Sequence, residues 1–177
     1  MSLVTALAIS IGVLGGIATF VVLGPLAALN LQIWAIFIAW ACFYHSGGKE
    51  AGLRNTIVNN VFGVVVGWIT LLLISQIPLG ATLGLPVWAG IVVFVMVFAL
   101  VIAAHNPMFA VIPAGVYGFA AVVAQALLGT KLDTLLAASM HNPLIVIVVS
   151  MIVGAVLGWV SEKIAVALAA RPVPQRA

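Results

Sequence analysis

The chain has 177 residues, of which 66% are hydrophobic and only 5% are charged: six Lys or Arg and three Asp or Glu, for a formal net charge of +3. Soluble domains carry about 45–50% apolar and about 25% charged residues, so these few charges cannot cover a surface that faces water. The composition excludes a soluble globular domain, a disordered chain and a nucleic-acid binder built on a basic stripe. It predicts an all-α polytopic membrane protein, with residues 1–177 forming a single membrane domain.

Six apolar stretches are long enough to cross a membrane, which takes about 20 residues. Pro or Gly punctuates nearly every boundary between them. In chain order, the predicted transmembrane helices cover about 3–23, 28–44, 55–77, 86–104, 108–128 and 143–161. The sixth helix is predicted to continue to Ala170, and a polar tail follows at 171–177.

The positive residues predict the orientation, because cytoplasmic segments carry an excess of Lys and Arg. With the N-terminus inside, only Lys131 falls outside the cell. The other five lie in the cytoplasm: Lys49, Arg54, Lys163, Arg171 and Arg176. We therefore expect both termini inside. The outer loop at 129–142 carries apolar residues at helical spacing, which predicts a short helix at the membrane interface.

An internal repeat relates the two halves of the sequence. Residues 63–70 and 154–161 both read GxxxGW, then a β-branched and a hydroxyl residue, at an offset of 91. Residues 37–44 and 111–118 match at an offset of 74. A three-helix unit reverses its direction when it is repeated, so halves at about 1–80 and 81–170 predict an inverted repeat. This architecture is typical of transporters and channels.

The third predicted helix carries the most unusual polar residues, three asparagines within its first two turns. Asn60 shares a helix face with two glycines, and a buried amide must find a partner because lipid offers none. This face could line a solute path or form a close-packed seam. The amides that we place on the candidate solute path are Asn55, Asn59, Asn60 and, in the fifth helix, Gln125. The residues that we predict to pack helices closely are Gly63, Gly67, Gly154 and Gly158.

Two His-Asn-Pro triplets occur, at 105–107 and 141–143. Asn before Pro is ordinary chemistry for the start of a helix. Alternatively, a histidine at a pore mouth contacts a solute or senses pH, so His105, Asn106, His141 and Asn142 join the candidate path. No spacing of His or Cys fits a metal site, and no cofactor is predicted. No nucleophile–base pair is evident, which argues against an enzyme.

The run 34–44, the segment 46–52 and the helix with Gly63, Gly67 and Trp68 resemble the bacterial inner-membrane family called domain of unknown function 1097. The resemblance extends into the second half through Pro113-Ala-Gly115 and through Gly154 and Gly158-Trp159. It implies a bacterial inner-membrane location and, as a conjecture, transport. It brings no established activity.

These observations predict a small channel or facilitator for a small polar or uncharged solute, acting as a homo-oligomer with a trimer preferred. Two alternatives stay open: a non-transporting membrane subunit of a larger complex, and an ion-coupled carrier that uses a histidine. Besides the bilayer and its own copies, no partner is predicted, and nucleic acid is excluded. A cavity lined by Asn59, Asn60 and Gln125 would favour transport, whereas a solidly packed bundle would favour a structural subunit.

Overall fold

A computed structural model describes residues 1–128 and 132–170. Every regular element in these residues is helical, which confirms the all-α class. The α-helices are α1 (Leu3–Leu23), α2 (Ile33–His45), α3 (Lys49–Gln76), the single turn α4 (Gly80–Leu83), α5 (Leu85–Ile102), α6 (Ile112–Leu128) and α7 (Pro143–Ala169). Short 3-10 turns cover Ala27–Leu29, Ala103–His105, Pro107–Phe109 and Leu132–Thr134.

Four of these helices, α1, α3, α5 and α7, are long and apolar enough to cross a membrane. The predicted second and fifth spans are shorter as α-helices, with 13 residues in α2 and 17 in α6. At 1.5 Å per residue they measure about 20 and about 25 Å, less than the roughly 30 Å of a bilayer core. The second span is shortened because Asn30 adopts a left-handed backbone, with φ 54°. The fifth is shortened because Pro107–Phe109 forms a separate turn.

The segment after α6 does not form the predicted interfacial helix. Residues 129–131 and the tail 171–177 lie outside the described residues. Where the segment is described, it makes one 3-10 turn, and Leu135 is then buried against the bundle. The Trp68 Nε1–H donates to the Leu135 carbonyl oxygen over 2.8 Å. The prediction is wrong here because this segment folds onto the bundle and does not lie flat beside it.

The two central helices are α3 and α7, which contact each other and most of the remaining helices. The most extensive interface joins α3 to α6, and the next joins α2 to α7. At the periphery, α1 packs on α7 and α5 packs on α3. Between these helices lies a buried apolar core that includes Ala39, Val64, Val122, Ile147 and Met151.

One end of the bundle carries Lys49, Arg54 and Lys163, and we call it the basic end. Here α2, α5 and α7 end, and α3 and α6 begin. The backbone N–H of Lys49 donates to Glu162 Oε2 on α7 over 2.8 Å, which holds the start of α3 against the last turns of α7. The opposite end, with the Trp68–Leu135 contact, is called the Leu135 end.

Glycines make the closest helix contacts. A Cβ on Gly63 of α3 would collide with the carbonyl oxygen of Gly115 in α6. In the same way, a Cβ on Gly154 of α7 would collide with the carbonyl oxygen of Ile36 in α2. Bare backbone at these positions lets each helix pair approach to backbone contact.

The next glycines along α3 and α7 are also closely packed. A Cβ on Gly67 would lie 2.6 Å from Val122 Cγ1 and 2.9 Å from the Phe119 carbonyl oxygen, and one on Gly158 would lie 2.8 Å from Phe43 Cβ. The pairs Ile36 and Gly115, and Phe43 and Val122, are each 79 residues apart, which differs from the offset of 74 taken from the sequence. The internal repeat and its offset stay a prediction.

Candidate functional site

A cluster of four polar residues, three of them buried and one half-buried, lies between α2 and α3 toward the basic end. We call Cys42, Ser46, Thr56 and Asn60 the polar cluster. The Cys42 thiol donates to Asn60 Oδ1 over 3.6 Å and lies 3.8 Å from Ser46 Oγ. The Thr56 hydroxyl donates to Ser46 Oγ over 3.3 Å. Cys42, Thr56 and Asn60 are each at most 1% exposed.

Asn60 has a donor without an acceptor. Its Nδ2 is buried and finds no hydrogen-bond partner among the residues that the structure describes. A buried polar group left unpaired costs about 1–3 kcal/mol, and native proteins keep few of them. The unpaired Nδ2 makes the polar cluster the candidate site for a group that accepts a hydrogen bond.

Local sequence explains how the polar cluster assembles. Thr56 and Asn60 are four residues apart on α3 and so share one face. The tight turn after α2 carries Gly47, Gly48 and Lys49 at positive φ, which folds Ser46 back over the start of α3. Glycine at the first two positions makes these left-handed conformations accessible at little cost.

Glu162 stabilises this turn from α7. Its carboxylate accepts the first backbone N–H of α3 and lies directly against Gly48. Negative charge at a helix N-terminus is favourable because the helix dipole is positive there. Gly48 has no side chain that could cap α3, so Glu162 supplies the cap from another helix.

Replacing Glu162 with alanine is expected to lower the free energy of unfolding by about 1 kcal/mol. This is the usual contribution of a helix cap that also interacts favourably with the helix dipole. Lys163→Ala is the matched control, because its 2.6 Å ion pair with Glu50 is solvent-exposed. Exposed pairs of this kind contribute little. Thermal melts in one detergent should therefore shift for Glu162→Ala and stay near wild type for Lys163→Ala. Equal melting temperatures for the two variants would show that the Glu162 cap stabilises the fold no more than the exposed ion pair does.

Two further polar contacts flank the polar cluster. Ser161 on α7 is fully buried, and its Oγ accepts from Trp40 Nε1 over 3.0 Å and lies 2.7 Å from the Tyr44 hydroxyl. His45 Nδ1 lies 3.0 Å from the Tyr117 hydroxyl and connects α2 to α6. These contacts join α2 to α7 and to α6 beside the polar cluster.

The neighbouring Asn59 plays a different part. Its Nδ2 donates to the carbonyl oxygens of Asn55, over 2.9 Å, and Met108, over 3.3 Å. The second bond holds the turn that connects α5 to α6 against α3. Asn59 is therefore a bridge between backbone segments.

The predicted path does not form one continuous polar line. Asn60 lies toward the basic end, whereas Gln125 lies on the last turns of α6, toward the Leu135 end. Between them α3 and α6 are in backbone contact, at Gly63 against Gly115 and at Gly118 against the Asn60 carbonyl. Gln125 is 8% exposed, and its side chain makes no hydrogen bond with any residue that the structure describes. In this conformation, a close-packed seam separates the two amides.

The His-Asn-Pro triplets act as helix starts. Asn106 Oδ1 accepts the Met108 backbone N–H over 3.0 Å, and Asn142 Oδ1 accepts that of Leu144 over 2.9 Å. Both histidines are exposed, and they lie at opposite ends of the bundle. Among the described residues, no three His, Cys, Asp or Glu side chains come together as metal ligands.

Sequence reasoning placed Asn60 on the site but missed its surroundings. Neither Cys42 nor Ser46 was among the predicted site residues. The sequence could have indicated Ser161, because it is the hydroxyl residue that ends the GxxxGW repeat on α7. Nothing in the sequence indicated Glu162, because its partner is a backbone N–H on another helix.

These features define an apolar all-helical bundle of the membrane type, with a buried polar cluster at one end. The family model described as "Protein of unknown function (DUF1097)" matches residues 8–166. The chain belongs to this family, as the resemblance implied. The comparisons with curated proteins and with solved structures found no match.

Proposed function

We propose that the chain crosses the bilayer six times as two inverted three-helix halves, α1–α3 and α5–α7. The packing supports this because each interface has a counterpart when the halves are exchanged. The α3–α6 interface corresponds to α7–α2, and α5–α3 corresponds to α1–α7. The second helix of each half also follows a separate 3-10 turn, Ala27–Leu29 before α2 and Pro107–Phe109 before α6. These turns extend the reach of two helices that are short by themselves.

Both termini are cytoplasmic in this proposal, because Lys49, Arg54 and Lys163 share one end of the bundle. A fluorescent protein fused after Ala177, which matures only in the cytoplasm, is expected to be bright. An alkaline phosphatase fusion at the same site, active only outside, is expected to be inactive. The reverse pair of results would contradict the orientation.

We propose that the protein is a facilitator, in the bacterial inner membrane, for a small uncharged solute that accepts hydrogen bonds. The single observation that carries this proposal is the unpartnered Nδ2 of Asn60 in the polar cluster. Within a bilayer neither lipid nor bulk water satisfies such a donor. A solute carbonyl or hydroxyl oxygen would satisfy it, and the polar cluster offers no charge that would select an ion.

A comparison of the two proposed halves also supports a function for this polarity. At the offset of 91 residues, Thr56 corresponds to Ile147 and Asn60 corresponds to Met151. Both counterparts belong to the apolar core. One half of the molecule therefore buries polar groups where the other buries hydrocarbon, which supports a function for the polar cluster beyond folding.

The contacts of Cys42 support binding and not catalysis. Its thiol contacts an amide oxygen and a hydroxyl group, and neither group is a base that could activate it. We therefore propose no enzymatic activity. The facilitator would work as a homo-oligomer, with a trimer as the expected state, to be measured by native mass spectrometry.

A second candidate, a non-transporting membrane subunit, is favoured by the close seam between Asn60 and Gln125. Swelling of liposomes separates the two. Vesicles with purified protein are exposed to gradients of acetamide, glycerol and, as a charged control, sodium acetate. Faster swelling than in protein-free vesicles for an uncharged solute alone supports the facilitator. No acceleration for any solute supports the structural subunit.

A further inference from the structure

The turn between α5 and α6 forms a small cleft with α3 at the basic end. The cleft has a volume of about 140 Å³ and is lined by Arg54, Asn55, Val58, Pro107 and Met108. It adjoins a second, apolar space. Arg54 and Asn55 place polar groups in the cleft, at the point where a membrane surface would lie.

A groove continues from this cleft along α3, and we call the two together the α3 groove. Its apolar part has a volume of about 390 Å³ and is lined by Ile57, Val58, Val61, Phe62, Val65 and Phe109. Val58 lines both spaces, so they adjoin along α3. From Val58 to Val65 the helix rises about 10 Å, roughly two thirds of one leaflet of a bilayer core about 30 Å thick.

The walls of the α3 groove are held in place. The Asn59 Nδ2 fixes the Met108 carbonyl over 3.3 Å, as described above. The rings of Phe62 and Phe109 lie with their centroids 4.4 Å apart. Because both walls are already positioned, a ligand would not have to order them.

Arg54 supplies an uncompensated positive charge at the opening. Its side chain is exposed and forms no ion pair or hydrogen bond with any residue in the described ranges. Glu50 lies one turn earlier on α3, but its carboxylate is paired with Lys163. The guanidinium is therefore available to an anion, and its planar fork suits a phosphate group.

We propose that the α3 groove binds an anionic phospholipid. Arg54 and Asn55 hold the phosphate and headgroup, and one acyl chain lies along Val58, Val61 and Val65. The apolar continuation distinguishes this ligand from a free phosphate ion, which would fill only the entrance. The proposal rests on the chain being a membrane protein and does not depend on solute transport.

Native mass spectrometry of the detergent-solubilised protein tests the headgroup contact. Phosphatidylglycerol is expected to bind about fivefold more tightly than phosphatidylcholine with the same acyl chains, since one interfacial cation attracts an anionic lipid by about that factor. Arg54→Gln should remove this preference. Lys49→Gln removes an equal charge from the same end of the bundle, beside Glu162 of α7, and should leave it unchanged. Loss of the preference in both variants, or in neither, would overturn the proposal.

A second arm tests the acyl chain. Val61→Trp adds bulk inside the α3 groove without changing charge, and it should weaken phosphatidylglycerol binding at least threefold. Val65→Trp replaces it if the first variant is not monodisperse on size exclusion. Added inorganic phosphate should not compete. Binding that survives both tryptophans, or that millimolar phosphate abolishes, would identify an adventitious headgroup contact and overturn the lipid site.

Discussion

Gly63→Leu is expected to destabilise the fold by more than about 3 kcal/mol, the upper range for overpacking of a tight interface. The added Cβ would collide with the carbonyl oxygen of Gly115. A backbone oxygen cannot rotate away as a flexible side chain can. We therefore expect an aggregated profile on size exclusion, or a melting transition far below that of the wild type. Gly154→Leu should behave alike, because it meets the carbonyl oxygen of Ile36.

Gly90→Leu is the matched control for this prediction. Gly90 lies on α5 with no atom within 4 Å of its added Cβ. Leucine is also the better helix former, by about 0.8–1 kcal/mol. The control should keep the wild-type profile and melt at the same or a slightly higher temperature. If Gly63→Leu and Gly90→Leu have the same melting temperature, then α3 and α6 are not in backbone contact.

Asn60→Leu is expected to lower solute flux about tenfold without weakening the fold. The solute would lose a hydrogen bond worth roughly 1–3 kcal/mol at the point where it has shed water, and about 1.4 kcal/mol corresponds to one decade in rate. Leucine has a similar size and removes a donor that has no protein partner. It also removes the Oδ1 acceptor of the Cys42 thiol, but a thiol is a weak donor and this contact is 3.6 Å long. The melting temperature should therefore stay the same or rise.

Asn59→Leu is the contrasting variant. Its amide donates to two backbone carbonyls, so its loss should cost about 1–3 kcal/mol of stability. Flux per folded protein should then remain near the wild-type value. The reverse pattern, in which Asn60→Leu destabilises and Asn59→Leu impairs flux alone, would contradict the assignment of these two neighbours.

The fold class and the long helices could be predicted because they depend on local composition. The apolar runs of α1 and α7 end at clear breakers, and both helices lie almost where the sequence placed them. The bounds of α2 were wrong because the run 28–44 contains Asn30, whose left-handed backbone interrupts an otherwise apolar stretch. The loop helix was wrong because a tertiary contact, Trp68 with Leu135, overrides helical spacing.

The candidate site could be predicted only in part, for a geometric reason. Asn59 and Asn60 are adjacent, yet about 100° of helix rotation separates them. One meets the α5–α6 turn and the other meets α2. Periodicity placed Asn60 on the glycine face, but only the packing of α2 could show that Cys42 and Ser46 surround it. The predicted path from Asn60 to Gln125 does not form, because the glycines between them bring the backbones of α3 and α6 into contact. The same small residues in a sequence are compatible with either an open path or a close contact.

Disulfide labelling of Cys42 tests the account most directly, because its thiol lies 3.6 Å from Asn60 Oδ1. It is the single cysteine of the chain, so it reports on the polar cluster without any substitution. Membranes are treated with a small uncharged methanethiosulfonate, with and without acetamide or the solute that swells liposomes fastest. The account predicts measurable labelling in folded protein, slowed by the solute in the wild type but not in Asn60→Leu. Labelling that is absent, or that the solute leaves unchanged in the wild type, would contradict a solute site at the polar cluster.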